Sequence, residues 1–84
     1  MRWRADLDAL EFSPPGHGAP CLMHRLAFRA LLGRDPAPAQ CLAYFEARSA
    51  AFLAASTRKI AARALARSCS LHLTSRDIKR QLTA

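Results

Sequence analysis

A chain of 84 residues with a net charge of +7 is long enough for one small domain, residues 1–84, whose single core is marginal unless a partner covers part of it. The hydrophobic fraction of 51% is globular, and no apolar run approaches the length of a membrane span. The amino terminus, MRWRADLDAL, has no secretory pattern, so a cytoplasmic protein is expected. The three cysteines, Cys21, Cys41 and Cys69, are odd in number and form no C-x-x-C pair, which predicts reduced thiols.

Much of the hydrophobic fraction is alanine, which buries little area per residue. The expected core is therefore Leu10, Phe12, Met23, Phe28, Leu31, Leu42, Phe45, Phe52, Ile60, Leu71 and Leu73. Leu10 and Phe12 alternate with Glu11 and Ser13, and the loop PPGHGAP then stops and turns the chain. A β-hairpin follows, with its return strand over residues 19–23 and with Cys21 and Met23 on the buried face. Phe28, Leu31 and Leu32 next fall at helical spacing, and Gly33 with Pro36 ends that short helix.

The segment RDPAPAQ opens a long helix over about residues 36–66, with Asp35 as its N-cap and prolines in its first turn. Leu42, Phe45, Phe52 and Ile60 mark its apolar stripe, and alanine lowers its conformational cost. Cys69, Leu71 and Leu73 then alternate with polar residues, the period of a third strand. Thr74 and Asp77 stand as a capping box for a short closing helix, which Ile78 and Leu82 anchor. The expected fold is α+β: a small antiparallel sheet, made of the hairpin and the C-terminal strand, with one short helix, one long helix and a short terminal helix.

This order of elements resembles an uncharacterised bacterial family, domain of unknown function 1488, over residues 10–78. Phe45, Glu46 and Ala47, the apolar Phe52 and the trio Arg58, Lys59 and Ile60 look like that family's helix, while Cys21 and Gly33 look like its hairpin and helix stop. His24, Ser49 and Leu53 depart from its usual residues. The resemblance implies a small antiparallel sheet with helices on one side and implies no activity.

Residues usable for chemistry are few. His17, His24, His72 and the cysteines offer metal-binding atoms, but the strand offset between Cys21 and His24 puts them on opposite faces and no zinc-like spacing occurs. No nucleophile elbow, phosphate loop or paired acid is present, so neither an enzyme, a cofactor nor a small-molecule substrate is expected. His17, between Gly16 and Gly18, reads as a solvated turn residue.

Charge is uneven. Residues 1–57 hold six basic and five acidic residues, whereas 58–84 hold seven basic and one acidic. Lys59, Arg63 and Arg67 recur every four residues as one positive row, and Arg76, Lys79 and Arg80 form a second group. Such rows can lie along a phosphate backbone. They also have two plain explanations: cations at a helix C-terminus favour its dipole, and an arginine- and alanine-rich composition follows from GC-biased coding. A membrane-surface role lacks an aromatic flank beside the row.

A helix over residues 36–66 would be roughly 45 Å long, against a globule of roughly 30 Å. It must bend near Ser56 and Thr57 or pack its surplus on another chain, through Tyr44, Leu53 and Leu65. The sequence therefore predicts a non-enzymatic protein-interaction module that pairs with a second copy, a homodimer being the simplest case. The alternative is weak, non-specific nucleic-acid binding through Lys59, Arg63, Arg67, Arg76, Lys79 and Arg80.

Overall fold

The period-two segments and the helical segments form, in a computed structural model that describes residues 1–83, four strands and four helices. Their order is β1 (Arg2–Arg4), β2 (Ala9–Phe12), β3 (Cys21–His24), α1 (Arg25–Leu32), α2 (Pro38–Ala47), α3 (Ser49–Arg63), β4 (Leu71–His72) and α4 (Ser75–Leu82). The α+β class is as expected. The sheet order is β1-β2-β3-β4.

Two features of the sheet correct the expectation. β4 pairs parallel to β3, so the sheet is mixed rather than antiparallel. The cause is the connection: α1, α2 and α3 carry the chain across the sheet before it returns, and such a crossover permits parallel pairing. β1 is an additional strand, antiparallel to β2. The turn between them closes with Asp8 at φ 52°, a left-handed conformation that Asp tolerates. Arg2 and Arg4 then both pair with Glu11 across the ladder at 2.9 Å.

Directly paired residues share a face. Trp3, Leu10 and Met23 point with Phe12, Cys21 and Leu71 towards the helices, as anticipated for Cys21 and Met23. They join Phe28, Cys41, Phe45, Phe52 and Ile78 in one core. The opposite face carries Arg2, Glu11, Leu22 and His72, then Arg4, Ala9 and His24. Cys69 lies outside β4 and is exposed, so the buried alternation begins at Leu71 rather than at Cys69.

The long helix is two helices. Arg48 leaves the helical region at φ −131° and ψ 31°, and its N–H closes α2 on the Phe45 carbonyl. The break lies at Arg48, not near Ser56 and Thr57; Ser56 is buried inside α3 with its hydroxyl donating to the Leu53 carbonyl at 2.8 Å. Packing explains the position. Phe45 and Phe52 would stand about 10 Å apart along a continuous helix, yet their ring centroids are 5.0 Å apart and both meet Phe12. Breaking the helix closes this aromatic cluster and removes the surplus length, because α3 spans only about 22 Å in a molecule of 33 × 31 × 17 Å.

The helix ends follow local chemistry. Gly33 at φ 73° stops α1, with its N–H on the Arg29 carbonyl at 2.9 Å. Ala37 rather than Asp35 starts α2, and the Gln40 side chain accepts the Ala37 N–H at 2.8 Å. Asp35 instead pairs with Arg25. α3 stops at Arg63, three residues before the expected end, with Ala64 left-handed at φ 50° and the Leu65 N–H on the Ile60 carbonyl. Thr74 and Asp77 cap α4 reciprocally, as their spacing predicts. Among the described residues, no helix is long and apolar enough to cross a membrane.

Candidate nucleic-acid interface

Ile78 anchors α4 on the core, and α4 lies alongside α3. The two helices bound a cleft of about 530 Å3 over the small side chains of Ala55 and Ala62. Arg58 and Arg63 rise from α3, and Arg76 and Arg80 from α4. All four residues are exposed. Among the described residues, none of these guanidinium groups lies within ion-pair distance of a carboxylate; Arg2, Arg4 and Arg25 are paired, but Arg29, Arg34, Arg48 and Arg67 are not, so it is convergence on one cleft that sets the four apart.

Among the described residues, Asp77 is the one carboxylate lining the cleft, and its charge is already answered. Its Oδ2 accepts from Lys59 Nζ at 3.0 Å and from the Thr74 N–H at 2.8 Å. Partial burial works against its ionisation, but the Thr74 backbone N–H and the Lys59 ammonium overcome that and hold its pKa below the ordinary carboxylate value. Lys59 also donates to the His72 carbonyl at 2.6 Å, and its side chain is only 12% exposed. Among the described residues, the cleft thus keeps a positive excess with no carboxylate left to satisfy it.

The expected basic row is divided by this geometry. Lys59 turns inward as a structural cation. Arg67 lies beyond the end of α3, where its carbonyl accepts from the Gly18 and Ala19 N–H groups at 3.0 and 2.8 Å. Arg63 faces the cleft, joined by Arg76 and Arg80, while Lys79 is exposed on α4 outside the lining. Arg58 was not among the expected residues. It precedes Lys59, and its role depends on which side of α3 receives α4, a tertiary fact without a local signal. Helix dipoles account for Arg63 and Arg80 in last turns, but not for Arg76, which sits in the first turn of α4 where a cation is disfavoured.

Tyr44, Leu53 and Leu65, the expected self-association residues, are half-buried against the chain's own core. The Tyr44 ring stands edge-on to Phe28 and Phe52, with the Arg48 guanidinium 4.2 Å over it. The large apolar residues left exposed include Leu26, at 61%, and Leu82, at 46%. His17 is likewise not a solvated turn residue. Its Nε2–H donates to the Cys69 carbonyl at 2.6 Å, tying the hairpin loop to the segment after α3.

Cys21 and Cys41 are buried, and desolvation pushes their thiols up to about 12 and about 11. Among the described residues, no three His, Cys, Asp or Glu side chains converge as a metal site would need. No family model matches the chain, and no curated protein or solved structure matches it.

Proposed function

We propose that this chain is a non-enzymatic nucleic-acid-binding module that holds the phosphate backbone in the α3–α4 cleft without reading sequence. One observation carries the reading: among the described residues, four arginines without a carboxylate partner, from two helices, converge on a cleft whose single carboxylate is neutralised from below. Phosphates supply the missing negative charge, and planar guanidinium groups bind them bidentately. Gln81 is the single side-chain amide among the described lining residues, beside four guanidinium groups, so affinity is mainly electrostatic, weak at physiological salt and little dependent on sequence. In this reading the protein works in the bacterial cytoplasm, and the resemblance to domain of unknown function 1488 stands as part of the proposal.

The test is binding of labelled oligonucleotides, single-stranded and duplex, by fluorescence anisotropy across a salt series. Affinity should fall steeply with salt. Replacing Arg58, Arg63, Arg76 and Arg80 by alanine should flatten the slope of log K against log salt by about 0.7–0.9 per lost phosphate contact. Absence of binding at low salt, or an unchanged slope in the variant, overturns the reading.

A second reading, self-association, is favoured by a different surface from the one expected. Leu26 on α1 and Leu82 on α4 are exposed, and those two helices pack against each other. Light scattering of the wild type and of Leu26→Glu tests it: a dimer that the variant dissolves supports this face, and a monomeric wild type eliminates it.

A further inference from the structure

The arginine cleft does not end at Lys59. A second depression, of about 370 Å3, shares Lys59, Arg63 and Thr74 with it and continues past Leu65 and Ser70 to His72. His72 belongs to the sheet face opposite the core. There its ring lies on that of His24, with planes 5° apart and centroids 5.4 Å apart. Both residues are exposed. The track therefore runs from the arginines of α4 past Arg63 at the end of α3, then over the uncharged Leu65 and Ser70 to His72, whose ring lies on the accessible imidazole of His24.

Resting on the nucleic-acid reading above, we propose that this track takes a single strand, with phosphates among the arginines and an unpaired base against the His24–His72 pair. The two chemistries favour that form over a duplex. Arginines answer phosphates in either form, but a flat ring system gains contact only with a base whose face is free. In a duplex the base faces are spent on their neighbours. Stacking is tolerant of base identity, so the inference adds a preference for strand form and leaves sequence unread. His24 and His72 stand 48 residues apart in a chain of 84, and only the parallel pairing of β4 with β3 brings them together.

The experiment compares oligo-dT, oligo-U and a duplex of equal length at one low salt concentration. The proteins are the wild type, His24→Ala/His72→Ala, His72→Phe and Arg58→Ala/Arg76→Ala. The wild type should bind single strands more tightly than duplex. The double histidine variant should lose at least about fivefold for single strands, with duplex affinity and salt slope unchanged. His72→Phe, which keeps a flat ring, should retain the preference. The arginine variant should weaken both forms and flatten both slopes. Equal affinity for oligo-dT and oligo-U supports a shared stacking site, and tighter oligo-U binding supports the same site with RNA as its ligand. Neither imidazole is buried, and His24 gives α1 no cap hydrogen bond, so circular dichroism should show the wild-type fold in these variants. Duplex bound as tightly as single strands, or single strands bound equally by the double histidine variant, overturns this inference and leaves the backbone reading standing. A wild type that binds neither form overturns both.

Discussion

Replacing Lys59 by methionine keeps the length of the stem and removes the ammonium, so it isolates the charge beneath the cleft. The ammonium serves two acceptors, the His72 carbonyl at 2.6 Å and Asp77 Oδ2 at 3.0 Å. Breaking a fully buried pair by removing one partner costs about 3–5 kcal/mol, whereas an exposed pair is worth about 0–1 kcal/mol. The side chains of Lys59 and Asp77 are 12% and 19% exposed, nearer the buried limit. Asp77 would still keep the Thr74 N–H, which moderates the loss. We expect about 2 kcal/mol, or a melting temperature lower by about 8–16 °C for a domain of this size. Because the damage comes from a carboxylate left without its cation, Lys59→Met/Asp77→Asn should be at least as stable as Lys59→Met. The pH dependence has a definite sign. The folded-state pKa of Asp77 is depressed, so its stabilising contribution is present above the ordinary value of about 4 and is lost as pH falls through the lower folded value. The advantage of the wild type over Lys59→Met should therefore shrink below pH about 4. Thermal melts followed by circular dichroism measure all three effects. A Lys59→Met melt within about 2 °C of the wild type at neutral pH, with no difference in the double variant, would refute the buried-pair argument.

Ala64→Gly should stabilise by about 0.5–1 kcal/mol, because the residue holds φ 50° and glycine adopts that conformation without strain; chemical denaturation checks it. The latch between the hairpin loop and the segment after α3 predicts that His17→Ala costs about 1 kcal/mol, more than the roughly 0.5 kcal/mol of an ordinary surface change. Gly18→Ala should cost about 1–3 kcal/mol through crowding, since a Cβ there would lie 3.0 Å from the Arg67 carbonyl oxygen; the same denaturation assay reads both. A thiol reagent at pH about 8 should label Cys69 in the native protein and leave Cys21 and Cys41 until unfolding, because those two are buried with raised pKa values. Arg76→Gln should raise the melting temperature at low ionic strength, and the gain should vanish in high salt, because the substitution relieves both like-charge crowding and an unfavourable dipole contact.

The legible parts of the fold were those whose signal is carried within a few residues. The alternation of Leu10 with Phe12, the Gly33 stop and the Thr74–Asp77 box each appear where local chemistry placed them. β1 was not legible because Trp3 is its one apolar residue and its pairing depends on Glu11, seven and nine residues away from Arg4 and Arg2. The break at Arg48 carries neither glycine nor proline. It is imposed by Phe12, Phe45 and Phe52 meeting in one cluster, a contact that no window along the helix contains. The direction of β4 was equally hidden, since its alternation states which face is buried and says nothing of the strand beside it.

The candidate site shows the same division between what composition sets and what folding decides. An arginine-rich composition makes basic residues frequent, and with the helix dipole it was a sufficient plain explanation for the charge of the second half. It does not explain their disposition. Among the described residues, Arg2, Arg4 and Arg25 each meet a carboxylate, Lys59 is drawn under α4, and Arg29, Arg34, Arg48 and Arg67 are unpaired but apart from the cleft, whereas four arginines without a carboxylate partner are brought to one cleft. The row counted every fourth residue assumed one unbroken helix through Arg67 with every cation in solvent, and both assumptions fail at particular atoms: the helix ends at Arg63, and Lys59 faces Asp77. Scattered surface arginines reduce their mutual repulsion by spreading apart in water. Arginines converging across two packed helices bear that repulsion as a standing cost, and an anionic ligand in the cleft removes it.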